Sequence, residues 1–150
     1  MLFRSDRLAE IGSEIVLHTV RLIEMKKTTQ RMQIGQPSPA PKILREQCRI
    51  DWLQSAEKIH NLVRGMSPSP SAFTQHNGKT IKIFRTRIAE NHSTMTAGSI
   101  LEANSKLIVA ADQGSLEILE LQLEGKRKMK TNEFLRGYQM KVGEKFSQEL

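Results

Sequence analysis

The sequence predicts a mainly β domain with short helices, built as a small antiparallel barrel that follows one N-terminal helix and a proline-rich connector. Three observations carry this expectation. Asn77-Gly78 lies between two strand-forming runs, the strongest short-range hairpin signal a sequence offers. Ile100-Leu101, Leu107 to Ala111 and Leu116 to Leu123 supply further short apolar strands. The apolar phase switches near Phe84 and again between Ile118 and Leu119, as β-bulges require, and bulges bend short strands around the corners of a closed or nearly closed barrel.

Taken in order, Asp6 to about Lys27 reads as a helix, with Ser5 and Asp6 at its start. Leu8, Ile11, Ile15 and Leu22 recur near helical spacing, and Val16, Val20 and Ile23 widen the stripe. Burying a side chain of this size is worth roughly 1.5–3 kcal/mol, so such a stripe calls for a cover. Folding back on the barrel or pairing with a second copy, a homodimer, would supply one. From Thr28 to Arg49, Gly35, Pro37, Pro39 and Pro41 break regular structure and favour a semi-rigid linker. A helix then starts near Ser55, with Ala56, Ile59, Leu62, Val63 and Met66 on one face and Gly65 as its left-handed end. Ser71 to His76, the Asn-Gly turn and Thr80 to Ile88 form the hairpin. In the second strand Ile81 and Ile83 face in before the bulge, Phe84, Thr86 and Ile88 after it, leaving Lys82, Arg85 and Arg87 outside.

At 150 residues the chain suits one domain, or a small domain plus a piece of another. Its net charge of +7 and pI near 9.8 suit a polyanion partner; the alternative is a basic surface that only keeps the chain dispersed. A single cysteine, Cys48, cannot form an internal disulfide, which fits a reducing compartment. No apolar run approaches the ~20 residues of a membrane span, and Met1-Leu-Phe-Arg-Ser-Asp does not read as a secretory signal, so the expectation is a cytoplasmic protein with no membrane partner.

Motifs for chemistry are missing. No glycine-rich loop is present to cradle a nucleotide, and no His/Glu pair has metal-ligand spacing, so no metal and no catalytic residue is expected. His18, His60 and His76 read as structural or surface residues, and His92 as part of a loop.

One stretch is more specific. Ile50-Asp51-Trp52 leads into a helix ending at Arg64-Gly65, followed by Pro68 and Pro70; Ala40-Pro41-Lys42 precedes it. Leu116 to Lys130 contains a Leu-Glu-Leu-Gln strand and a Glu124-Gly125-Lys126-Arg127 turn, and Phe134-Leu135-Arg136-Gly137 closes the block. These residues resemble the C-terminal domain of the methionyl-tRNA formyltransferase family, over roughly Ala40 to Gly137. The resemblance implies an OB-like antiparallel barrel at 50–150, a linker at 28–49, and at 1–27 the last helix of a catalytic, Rossmann-like domain. It implies a tRNA partner for the barrel. It also implies that formyl transfer from 10-formyltetrahydrofolate belongs to the missing domain, so this chain alone is expected to bind no cofactor and to be inactive. Three positions depart from the family. Gln47 stands where an acid is usual. Ser69 stands where Trp is common, which removes an aromatic stacking surface, and Ser71 stands where Gly is common.

The candidate RNA contacts are cations: Lys42 and Arg45 in the linker, Lys79, Lys82, Arg85 and Arg87 along one strand, and Lys126, Arg127, Lys128 and Lys130 in a second loop. Outward cations on a strand beside a basic loop make a groove for a phosphate backbone, and the scarcity of aromatics argues against base stacking. Two other readings stay open: a scaffold barrel from a related sugar- or folate-linked formyltransferase, and a self-standing basic OB-like RNA-binding module.

Overall fold

The computed structural model describes residues 4–89 and 95–147; His92 lies outside them. The chain divides into two compact units, 1–41 and 42–150. In the first, α1 (Arg4–Glu24) is a single amphipathic helix. It starts earlier than the sequence suggests, so Asp6 lies in its first turn, where a carboxylate complements the helix dipole. It stops earlier too, because Lys26 takes a left-handed φ of 55° while the Lys26 and Lys27 amides bond back into the last turn. Leu8, Ile15, Val16 and Ile23 are each more than half exposed.

The second unit begins inside what the sequence reads as linker. A 3-10 turn at Arg45–Cys48 buries Cys48, and the Ile50 amide bonds to the Phe73 carbonyl at 2.8 Å, tying this stretch to the barrel. Helix α2 (Ala56–Met66) is capped by the Ser55 hydroxyl, which accepts from the Lys58 amide, and buries Ala56, Ile59 and Val63. Gly65 does not end it; the helix runs through Gly65 to Met66. Ser67, extended at φ −86° and ψ 138°, is the stop, because the ring of Pro68 disfavours helical backbone in the residue before it.

Six strands follow: β1 (Ala72–His76), β2 (Lys79–Ala89), β3 (Ile100–Ala103), β4 (Leu107–Ala110), β5 (Ser115–Leu123) and β6 (Met129–Lys130); helix α3 (Thr131–Gly137) comes after. The sheet order is β1-β2-β5-β4-β3, with β6 pairing on β5 and every ladder antiparallel. Asn77 (φ 50°) and Gly78 (φ 71°) make the two-residue turn between β1 and β2.

The β2–β5 ladder holds two compensating irregularities. Ile83 faces Leu121 while Arg85 faces Glu120, so Phe84 is the extra residue; Thr86 then faces Ile118, which leaves Leu119 extra on the other strand. Ile81, Ile83 and Thr86 are buried on β2 as expected, whereas Phe84 is only half-buried and Ile88 is exposed. Thr86 is buried and hydrogen bonds to His60 at 2.8 Å, whereas Ile88, on the same face of the strand but nearer its end, is 48% exposed.

Residues 143–147 bridge the free edges of the sheet. The Ser147 amide bonds to the Gln75 carbonyl on β1, while Gly143, Glu144 and Phe146 exchange backbone bonds with Gly98 and Ile100 beside β3. Phe146 stacks on the buried Trp52 with ring centroids 5.5 Å apart, and the indole N–H donates to Thr74 at 3.0 Å. His76, wholly buried, sits between two partners: Nε2–H donates to the Glu144 carboxylate at 3.1 Å, and Nδ1 lies 3.1 Å from the Tyr138 hydroxyl. Burial, and then the Glu144 carboxylate, holds the Tyr138 phenol above its usual pKa. The result is a mainly β, barrel-like domain with short helices, its core centred on Ile81, Ile83, Leu107, Leu116, Ile118 and Leu121.

Candidate nucleic-acid interface

Pairing across β1, β2 and β5 sets the sequence-predicted cations into rows on the outer face. The first row is Phe73, Lys82 and Gln122. The second is Arg85, Glu120 and Lys130, and the third is Arg87 and Glu117. In a regular strand Lys82 and Arg85 would face opposite ways; the extra residue Phe84 puts both outside.

Strand pairing also neutralises part of the set, which reading along β2 alone does not reveal. Arg87 places two guanidinium nitrogens on one Glu117 oxygen, at 2.5 and 3.1 Å. Glu120 lies 3.9 Å from Arg85 and 2.6 Å from Lys128, whose ammonium also sits 4.9 Å from the Phe84 ring centroid. Arg127 is held by Glu133. By contrast, Lys42, Arg45, Lys79, Lys82, Lys126 and Lys130 are exposed and have no acid partner among the described residues. Arg45 instead lies over the Phe73 ring, and Lys79 over Tyr138.

These cations gather at two grooves. One, of about 470 Å³, takes Arg85, Lys106 and Lys130 together with Ser105 and Asn132, but also the carboxylates of Glu117 and Glu120. Lys106 was not among the sequence candidates. It stands alone in the turn between β3 and β4, and only the β4–β5 and β5–β6 pairings bring that turn toward Lys130. The other groove, of about 400 Å³, lies between the 3-10 turn and the hairpin and takes Arg45 and Lys82. Lys42, Lys79 and Lys126 line neither groove.

Among the described residues no group of three His, Cys, Asp or Glu side chains is placed to hold a metal, and no helix is long and apolar enough to cross a membrane. His18 sits exposed on α1. His60 is occupied by Thr86, with its pKa lowered by burial and then by Arg64.

Residues 42–139 match the formyl transferase C-terminal domain family. Methionyl-tRNA formyltransferase from Chlorobium chlorochromatii is 42% identical over 135 residues, which are 87% of this chain and 43% of that protein. The enzyme of the same name from Caldanaerobacter subterraneus subsp. tengcongensis is 36% identical over 139 residues, 92% of this chain and 45% of the relative. The chain thus spans less than half the length of the curated relatives it matches. Among solved structures, HypX from Aquifex aeolicus superposes with a TM-score of 0.65 over 96% of this chain and 27% of its own, at 22% identity, which is a likeness of fold. With the family match covering most of the chain, and relatives of one name above 40% identity, the chain belongs to the formyltransferase family through its C-terminal domain.

Proposed function

We propose that the barrel is the tRNA-gripping portion of a methionyl-tRNA formyltransferase. It holds the tRNA backbone while a separate catalytic domain moves a formyl group from 10-formyltetrahydrofolate to the methionyl amine, in translation initiation. The observation that carries this reading is the set of exposed cations without an acid partner among the described residues, on a domain whose relatives are named for that enzyme. Lys82, Lys130, Arg45 and Lys126 make the strongest contacts; Lys42 and Lys79 extend the track, and Lys106 adds to the larger groove. Arg85, Arg87, Arg127 and Lys128 contribute less, because each already holds a carboxylate. Contacts of this kind read charge and spacing rather than base identity, so initiator and elongator tRNAs bind this chain alike.

The test is tRNA binding by the full chain, initiator beside elongator, across a salt series. Similar affinity for both, falling steeply with salt, supports the proposal. Absence of binding at low salt overturns it and leaves the barrel as a scaffold.

A further inference from the structure

The groove between the 3-10 turn and the hairpin has a character that backbone gripping does not require. One wall is apolar: Ile43, 49% exposed, with Pro70 and the largely buried Phe73. The Arg45 guanidinium carbon lies 5.6 Å from the centroid of that Phe73 ring. Lys82 stands beside Phe73 across the β1–β2 ladder, and neither cation has an acid partner among the described residues. At about 400 Å³ the space falls in the range of small-molecule sites.

An apolar wall, a planar cation and a second point charge in one cavity select a ligand with a flat face and one anionic group. We propose that this groove seats a single unstacked nucleotide of an RNA, the base on the Arg45 guanidinium plane, which lies over the largely buried Phe73 ring, and beside Ile43, with its phosphate on Lys82. Stacking on an aromatic or guanidinium plane tolerates any base, because every base presents a π-face. The groove continues through Thr80 and Lys82 into a smaller one lined by Glu124, whose carboxylate accepts the Thr80 amide at 3.3 Å. That negative charge disfavours a pyrophosphate, so the seat takes a monophosphate or one phosphodiester. The RNA occupant rests on the gripping role proposed above; the nucleotide chemistry of the seat does not.

Backbone amide shifts of the full chain, titrated separately with adenosine monophosphate, adenosine and inorganic phosphate, test this. The expected result is a set of shifts confined to Ile43, Arg45, Phe73, Thr80 and Lys82, with the nucleotide bound at least tenfold more tightly than either part. Arg45→Ala weakens nucleotide binding at least fivefold, while Lys58→Ala, on the exposed side of α2, leaves it unchanged. Arg45→Lys guards against misfolding: it keeps the charge and loses the plane, so phosphate binds as before and the nucleotide binds less. Shifts scattered over the basic surface, phosphate bound as tightly as nucleotide, or an indifferent Arg45→Lys would each overturn the seat. The two proposals separate cleanly. Binding of tRNA without adenosine monophosphate removes the seat and keeps the grip; the reverse keeps the seat and removes the grip.

Discussion

Replacing Lys126 and Arg127 singly by Ala separates charge that is available to RNA from charge already spent. In sequence these neighbours are equivalent, and the loop offers Lys126, Arg127 and Lys128 as three equal phosphate contacts. In the structure Arg127 is held by Glu133, Lys128 lies 2.6 Å from Glu120, and Lys126 has no acid partner among the described residues. A phosphate that takes Arg127 must displace a carboxylate, with little net release of counterions. Each phosphate contact contributes about 0.7 (single strand) to 0.9 (duplex) to the slope of log K against log salt. If Lys42, Arg45, Lys79, Lys82, Lys126 and Lys130 each make one contact, the wild-type slope is about −4 to −5. Lys126→Ala flattens it by about 0.7–0.9, whereas Arg127→Ala leaves it nearly unchanged, and the triple change at 126–128 removes about one contact rather than three. Fluorescence anisotropy with labelled tRNA between roughly 50 and 200 mM salt resolves this, since one contact corresponds to about a threefold change in affinity over that range. Equal flattening by Arg127→Ala would refute the reasoning, because it would mean that the exposed Arg127–Glu133 pair opens for phosphate at no cost.

Other perturbations test the fold. Ser71 holds a left-handed φ of 71°, which a glycine adopts without strain, so Ser71→Gly should raise stability by about 0.5–1 kcal/mol, read as a higher urea midpoint. Gly98, at φ +82°, has no room for a methyl, since an added Cβ would lie 3.2 Å from the Phe146 carbonyl; Gly98→Ala should cost about 1–3 kcal/mol and speed amide exchange at Ile100 and Phe146. Trp52→Ala should cost about 3–5 kcal/mol in chemical unfolding, because it removes the stack on Phe146 and the donor to Thr74 together. Burial, and then Arg64, lowers the His60 pKa from 6.5, so below about that pH the unfolded chain binds more protons than the folded one. Stability should therefore fall as pH drops from 6.5 through the lower folded value, and His60→Gln should remove that part of the slope when unfolding is compared at pH 7.5 and 5.

The parts of this fold that announce themselves in sequence are those fixed by local chemistry. Asn77-Gly78 specifies its own turn, Ser55 its cap, and the phase slip at Phe84 its bulge, because each depends on a few consecutive residues. What stayed hidden depends on which strand lies beside which. The alternation of β2 shows that Arg87 points outward but cannot show that Glu117 is its neighbour. Alternation places Thr86 and Ile88 on one face of β2, but it cannot show that Thr86 is buried against His60 while Ile88 is 48% exposed. With two residues, β6 is too short to show any period. His76 looks like a turn-flanking residue, and only the fold brings Glu144 and Tyr138 to its two nitrogens. The candidate interface was legible as a list of cations and illegible as a distribution of available charge.

The strap at 143–147 has a consequence for synthesis. Its glutamate reaches a histidine 68 residues earlier in the chain, and its phenylalanine covers a tryptophan placed earlier still. During translation the hairpin and α2 leave the ribosome long before the strap does, with the Gln75 end of the β1 edge unpaired and Trp52 uncovered. A nascent barrel therefore waits, open at one seam, until residue 147 emerges, and contacts so distant in sequence form slowly. In that interval the open seam can pair with the same edge of another nascent chain on a neighbouring ribosome, a hazard that ends when the strap docks.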